Sequence, residues 1–209
     1  MHIGPNQIID ITSKLRIGRP KSDLKVRIGS RTKHETIVIA VCCICCSTSD
    51  ANLRVGVEPS IRSLDIIPEF VSSCTGSQCL HAVGCAEAFM KGHRKEELRD
   101  QIRNWSDGAV AFVSVGDGPT SEGEFWEALS TACTLDLPVL FVVEDNGYAI
   151  SVPVEVNTPG GSISKLVLGF PGLDVHEIDG CDPVACHTLL KDVVSDMRNG
   201  NGPALVHAH

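Results

Sequence analysis

Three short stretches carry residues that could do chemistry: Gly116-Asp117-Gly118, Asn146 and Tyr148. Asp117 offers a hard, charged oxygen and Asn146 a neutral amide oxygen; a backbone carbonyl near Tyr148 could add a third. Such oxygens suit magnesium, which takes about six oxygen ligands at about 2.0–2.1 Å and accepts phosphate oxygens among them. The two glycines permit a tight turn and close approach by a ligand. The pattern is that of half of a magnesium–diphosphate site. Gly-Asp-Gly alone is a weak signal, and so is Asp-Asn alone. The pair gains weight from the complete strand–turn–helix–strand unit between its members.

That unit is built as follows. Ala109 to Val115 (AVAFVSV) is an apolar run of strand length that leads into Gly116. Ser121 to Leu135 reads as a helix, with Phe125, Ala128, Leu129 and Ala132 on one face. The Ser121/Glu124 spacing resembles a capping box, with Pro119 just upstream. The helix would point its unpaired N–H groups toward an anion. Pro138 to Val143 is the next strand and ends at Glu144-Asp145-Asn146. Asp117 and Asn146 therefore fall just past the ends of two predicted parallel strands, where open α/β sheets bind ligands.

The same alternation extends on both sides. Gly76-Ser77 precedes Leu80, Val83, Gly84, Ala88 and Phe89 at helical spacing. Lys95 to Arg103 is charged, a surface helix or loop. Ile150 to Gly161 reads as irregular, Ile163 to Leu168 as a short helix and Val175 to Ile178 as a strand. Pro183 to Met197 reads as a helix opened by proline and closed by Asn199-Gly200, and Ala204 to His207 as a last strand. Strands alternating with helices predict an α/β fold: a Rossmann-like parallel sheet with flanking helices. The sequence stops at His209 directly after a strand signal, which predicts a truncated domain with apolar surface left for other subunits or domains.

Composition narrows the class. A hydrophobic fraction of 43% in 209 residues suffices for a core, whereas 4% aromatics argues against nucleic-acid stacking. Residues 1–70 carry ten Lys/Arg against seven Asp/Glu; residues 71–209 carry eight against nineteen. The second part is thus ill suited to hold nucleic acid or an anionic membrane unaided, but a metal would let it bind a diphosphate. The longest apolar run, Thr36 to Cys46, has about eleven residues, short of the roughly 20 of a spanning helix. It reads as a buried strand or a segment awaiting a partner. Ten cysteines without a signal peptide of normal form predict a reduced, intracellular protein of cytoplasm or organelle matrix.

Taken together, these motifs resemble a known family. Gly116-Asp117-Gly118 through Asp145-Asn146 resembles the thiamine-diphosphate motif. The stretches 116–129 (GDGPTSEGEFWEAL) and 137–151 (LPVLFVVEDNGYAIS) are similar to the alpha-type region of the E1 component of 2-oxo acid dehydrogenases. So are Ser72 to Gln78 with Ala82-Val83-Gly84, Gly180 to Pro183, and Gly202 to Val206. The resemblance covers about residues 71–209 and divides the chain into a poorly matched segment, 1–70, and a diphosphate-binding domain of thiamine-diphosphate-binding fold, 71–209.

The resemblance implies oxidative decarboxylation of a 2-oxo acid with thiamine diphosphate and magnesium, and acyl transfer to a lipoyl-bearing E2. It implies Asp117, Asn146 and the Tyr148 carbonyl as metal ligands, with Gly116, Gly118 and the Pro119 backbone against the diphosphate. Glu144 and Asp145 would shape the loop. The catalytic residues stay unassigned: the activating glutamate belongs to a beta-type subunit or fused domain, and His207 and His209 do not sit in the family's histidine-bearing loop. An isolated chain is therefore expected to be inactive. Acetoin-cleaving or transketolase-like activity and an inactive partner-binding module are the alternatives.

Smaller features have plainer readings. Cys42, Cys43, Cys45 and Cys46 form interleaved Cys-x-x-Cys pairs in a strand-like run and read first as buried thiols, then as metal ligands. Cys74, Cys79, Cys85, Cys133, Cys181 and Cys186 read as small hydrophobes. His81 reads as packing or capping, and Glu122 and Glu124 as first-turn carboxylates. Phe125 and Trp126 read as core or subunit interface.

Overall fold

The structure, a computed structural model, describes residues 38–43, 66–72, 74–102 and 106–209. Six parallel strands form one sheet in the order β2-β1-β3-β4-β8-β7. They are β1 (Val38–Cys43), β2 (Ile66–Ser72), β3 (Val110–Gly116), β4 (Val139–Glu144), β7 (Asp174–Ile178) and β8 (Ala204–Ala208). The strand order reverses between β1 and β3, and β8 inserts between β4 and β7 out of chain order. β1 and five of the seven residues of β2 come from before residue 71, so the sheet draws on the segment that matched the family poorly. Cys42 and Cys43 lie in β1; Cys45 and Cys46 fall outside the described residues.

The predicted α/β sheet is thus observed, with helices α1 (Gln78–Arg94), α2 (Gly123–Leu135), α3 (Val154–Asn157), α4 (Ile163–Val167) and α5 (Pro183–Arg198). Strict alternation along β3, β4 and β8 sends successive side chains to opposite faces. Ala111, Val113, Val115, Val139, Phe141, Val143 and Leu205 meet α1, α2 and α4. Val110, Phe112, Leu140, Val142, Ala204, Val206 and Ala208 meet α5. β3 and β4 are buried along their whole length, as expected of parallel strands covered on both faces. Phe125 is a core residue, edge-on to Phe141 at 6.1 Å; its neighbour Trp126 is partly exposed and stacks on Phe170 at 6.1 Å.

Several details depart from expectation. The Ser121 capping box does not form. Gly118–Ser121 is a 3-10 turn, Glu122 occupies the N-cap position of α2, and Ser121 Oγ donates instead to the Asn157 carbonyl at 3.2 Å. The stretch read as irregular after Ile150 belongs to a small antiparallel hairpin, β5 (Tyr148–Ala149) with β6 (Val152–Pro153), followed by α3. Cys79 and Cys186 are buried, as small hydrophobes would be, whereas Cys74 and Cys181 are exposed. Among the described residues, no helix is long and apolar enough to cross a membrane.

The start of α5 offers a test of local energetics. Asp182 accepts from Val184 N and Ala185 N at 2.9 and 3.0 Å, so it satisfies two otherwise unpaired helix donors. Asp182→Ala is expected to lower the unfolding free energy by about 0.5–2 kcal/mol in urea titrations. An unchanged midpoint would mean that water replaces the cap at no cost.

Candidate functional site

The site residues gather at the carboxyl edge of the sheet because β3 and β4 are neighbours in register. Gly116 lies opposite Glu144, so Asp117 and Asn146 leave adjacent strands within a residue or two of each other. This edge lies beside the strand-order reversal between β1 and β3, the position where open α/β sheets hold ligands.

Asp117 is fixed through its backbone. Its carbonyl accepts from Thr120 N at 3.2 Å, Thr120 Oγ1 at 2.6 Å and Asn157 Nδ2 at 3.3 Å. The side chain is only 4% exposed, and Oδ2 is buried with no hydrogen-bond partner. Burial raises its carboxyl above the usual range, and nearby Asp145 raises it further; the backbone N–H groups of Asp117 and Gly118 and the His207 ring oppose this. A buried anionic oxygen without a donor is costly. A bound cation would supply the missing partner, so the residues present fit a metal.

The second strand delivers a turn. Glu144 accepts a short hydrogen bond from Ser114 Oγ across the β3–β4 pair. Asp145 Oδ1 accepts from Gly147 N at 2.8 Å, and Asn146 Oδ1 from Tyr148 N at 3.1 Å. These side-chain turns shape the loop, and Gly147 takes φ +80°, which glycine adopts without strain. Asn146 is half-buried and Tyr148 exposed. Gly116 ends β3; Gly118 and Pro119 open the 3-10 turn that carries the chain into α2.

Gly118 is required for packing. A Cβ there would stand 2.9 Å from Ala149 Cβ and 3.5 Å from Ala149 Cα. Ala149 belongs to β5 and has no flexible end to move aside. Gly118→Ala is expected to push the hairpin off the turn and cost about 1–3 kcal/mol. Adding Ala149→Gly should restore part of that loss in a double-mutant cycle of urea unfolding. Additive losses would show that the two residues do not meet.

Sequence reasoning missed a second cluster beside the first. Asp145 Oδ2 lies 2.9 Å from His207 Nε2, and His207 Nδ1 lies 3.1 Å from Ser164 Oγ. Ser164 donates a short hydrogen bond to Glu177, and the His209 ring lies 4.0 Å from that of His207, centroid to centroid. Burial alone would raise Asp145, but the His207 hydrogen bond and the Gly147 N–H hold it below the usual carboxylate range. The spacing of His207 and His209, two residues apart on a strand, was the available signal. It became meaningful only once β8 was known to lie against β4. The concavity lined by Leu80, Trp126, Glu127, Ser130 and Thr131 contains none of the predicted site residues.

The chain is similar to known proteins in sequence and in fold. The sequence profile of the dehydrogenase E1 component family matches residues 71–209. The chain is 38% identical over 133 residues to 3-methyl-2-oxobutanoate dehydrogenase subunit alpha of Mycobacterium tuberculosis, covering 64% of this chain and 32% of that protein. It is 33% identical over 135 residues to 2-oxoisovalerate dehydrogenase subunit alpha of Bacillus subtilis (65% and 37%). It is 30% identical over 133 residues to pyruvate dehydrogenase E1 component subunit alpha of Staphylococcus aureus (63% and 32%). The chain thus spans about a third of the length of these relatives. In fold it is similar to transketolase from Campylobacter jejuni, with a TM-score of 0.53 at 24% identity, over 71% of this chain and 21% of that one.

Proposed function

Because the chain belongs to the dehydrogenase E1 component family, we propose that it forms the diphosphate-holding half of an enzyme that decarboxylates a 2-oxo acid oxidatively and delivers the acyl group to a lipoyl-bearing E2. Family membership implies thiamine diphosphate as cofactor, and the hard oxygens of Asp117 and Asn146 suit magnesium as its metal. The observation that carries the reading is Asp117 Oδ2, buried and partnerless at the end of β3. Asp117, Asn146 and the Tyr148 carbonyl would hold the metal. The backbone of Gly116, Gly118 and Pro119 would lie against the diphosphate. When bound, thiamine diphosphate supplies the nucleophilic carbon and the electron sink for decarboxylation. These residues would anchor and orient it, and Asp117 would lose its desolvation penalty on meeting the cation.

The reading also includes a beta-type subunit or fused domain as partner. Tyr148, Ile150, Val152 and Val156 are large apolar side chains exposed on the hairpin and α3, next to the site. Ile150 is fully exposed and takes φ 60°, unusual for a β-branched residue. Such a patch on a strained turn suits a protein interface. The partner would supply the activating glutamate that the resemblance places in a beta-type region.

The test is turnover. The purified chain alone should show no 2-oxo acid decarboxylation above background. Co-expression with a beta-type subunit, with thiamine diphosphate, magnesium and a lipoyl-bearing E2 added, should yield acyl transfer from at least one of pyruvate or the branched-chain 2-oxo acids. Robust turnover by the chain alone, or none from a complex that demonstrably forms, would contradict the proposal.

A further inference from the structure

The His207 ring is buried and held from both sides. Ser164 Oγ–H is committed to the Glu177 carboxylate. Ser164 can therefore only accept from His207 Nδ1, at 3.1 Å. On the other side of the ring, Nε2 lies 2.9 Å from Asp145 Oδ2. Asp145 is 8% exposed and His207 0%, so the contact is shielded from bulk water.

A third donor group converges on this contact. His207 and His209 stand two apart along β8 and its extension, which puts both imidazoles on one sheet face. Asp145 leaves the neighbouring strand beside them, its N–H bonded to the Ala208 carbonyl at 2.8 Å. One ligand atom from each of Asp145, His207 and His209 lies within 4.8 Å of the others. A proton could bridge Asp145 and His207, but it would make no use of a second imidazole.

We propose that Asp145, His207 and His209 bind a divalent transition-metal ion, zinc being the natural occupant, through one carboxylate oxygen and two imidazole nitrogens. Zinc sites with two histidines and one carboxylate keep a further position for water or another ligand. Ligand atoms each about 2.0–2.2 Å from one tetrahedral zinc ion lie roughly 3.3–3.6 Å apart, so the 2.9 Å Asp145–His207 contact would open by a few tenths of an ångström on binding. The outer hydrogen bonds are also in place: Nδ1–H of His207 donates to Ser164, and Ser164 donates to Glu177, fixing tautomer and ring orientation. The ion would pin the start of the Asp145–Tyr148 loop to β8. It is separate from magnesium in both donor type and residues, since imidazole selects zinc, copper, iron or nickel over magnesium.

The test uses cobalt(II) as a spectroscopic probe on the full 209-residue chain, with magnesium in large excess to occupy oxygen-only sites. We expect one cobalt ion per chain, with visible d–d absorption and no thiolate charge-transfer band, a distinction needed because the chain has ten cysteines. His209→Gln, at an exposed position, should weaken binding by more than about tenfold while circular dichroism stays unchanged. His207→Gln should do the same or more. His176→Gln, which removes the histidine of the separate His176–Asp174 pair, should bind cobalt as the wild type does. Absence of binding by the folded chain, binding indifferent to His209→Gln, or a spectrum carried only by thiolates would overturn the proposal.

Discussion

Asp117→Asn is expected to make the ligand-free chain more stable and to abolish its magnesium-dependent affinity for thiamine diphosphate. Both effects follow from one oxygen. In the wild type, Oδ2 is buried and unpartnered, and burial and then Asp145 raise the carboxyl. A raised carboxyl is easier to bury protonated. Its penalty is absent below the ordinary carboxylate range and complete once pH exceeds the raised value. At neutral pH the amide removes that charge, with an expected gain of about 1 kcal/mol or more. Saturating ligand reverses the order: at a hundredfold excess over Kd the wild type gains about 2.7 kcal/mol, and the variant nothing. Melting curves of both chains with and without thiamine diphosphate and magnesium should therefore cross. A variant less stable in both conditions would show that Asp117 serves the fold, not a cation.

The second large effect is structural. Phe125→Ala should cost about 3–5 kcal/mol in urea unfolding. Phe125 is fully buried in α2, edge-on to Phe141 of β4 and to Trp126 at 5.4 Å. The cavity would open between the helix and the two strands that carry Asp117 and Asn146. Ligand affinity should fall with stability, because the turn from Asp117 into α2 loses its seat. Trp126→Ala, at a partly exposed position, should cost less. A loss under about 1 kcal/mol for Phe125→Ala would mean that α2 is not held by this contact.

These two residues also mark what could be read from the linear chain. Phe125 falls on the apolar face at helical spacing, and the runs flanking Asp117 and Asn146 are apolar throughout, so β3, α2 and β4 appear in the sequence within a residue or two of their observed limits. Their periodicity is strong because the elements are long and buried on one face or both. The two-residue strands β5 and β6 leave no alternation to detect, and β2 was missed beside a sheet partner, β1, that was itself ambiguous. Ser121 was read as a cap on local spacing, whereas its hydroxyl goes to Asn157, a contact from well outside the local sequence. The Asp145–His207–Ser164–Glu177 network needed the strand order: only the insertion of β8 between β4 and β7 brings these residues together. Local pattern thus announced the elements, and non-local pairing decided which of their polar residues meet.

The central claim is that the carboxyl edge of β3 and β4 holds a diphosphate through a cation at Asp117. Calorimetric titration of the folded wild-type chain with thiamine diphosphate tests it most directly, run once with magnesium and once with a chelator present. The account predicts saturable binding with magnesium and none with the chelator. Equal binding under both conditions, or none with magnesium present, would contradict it.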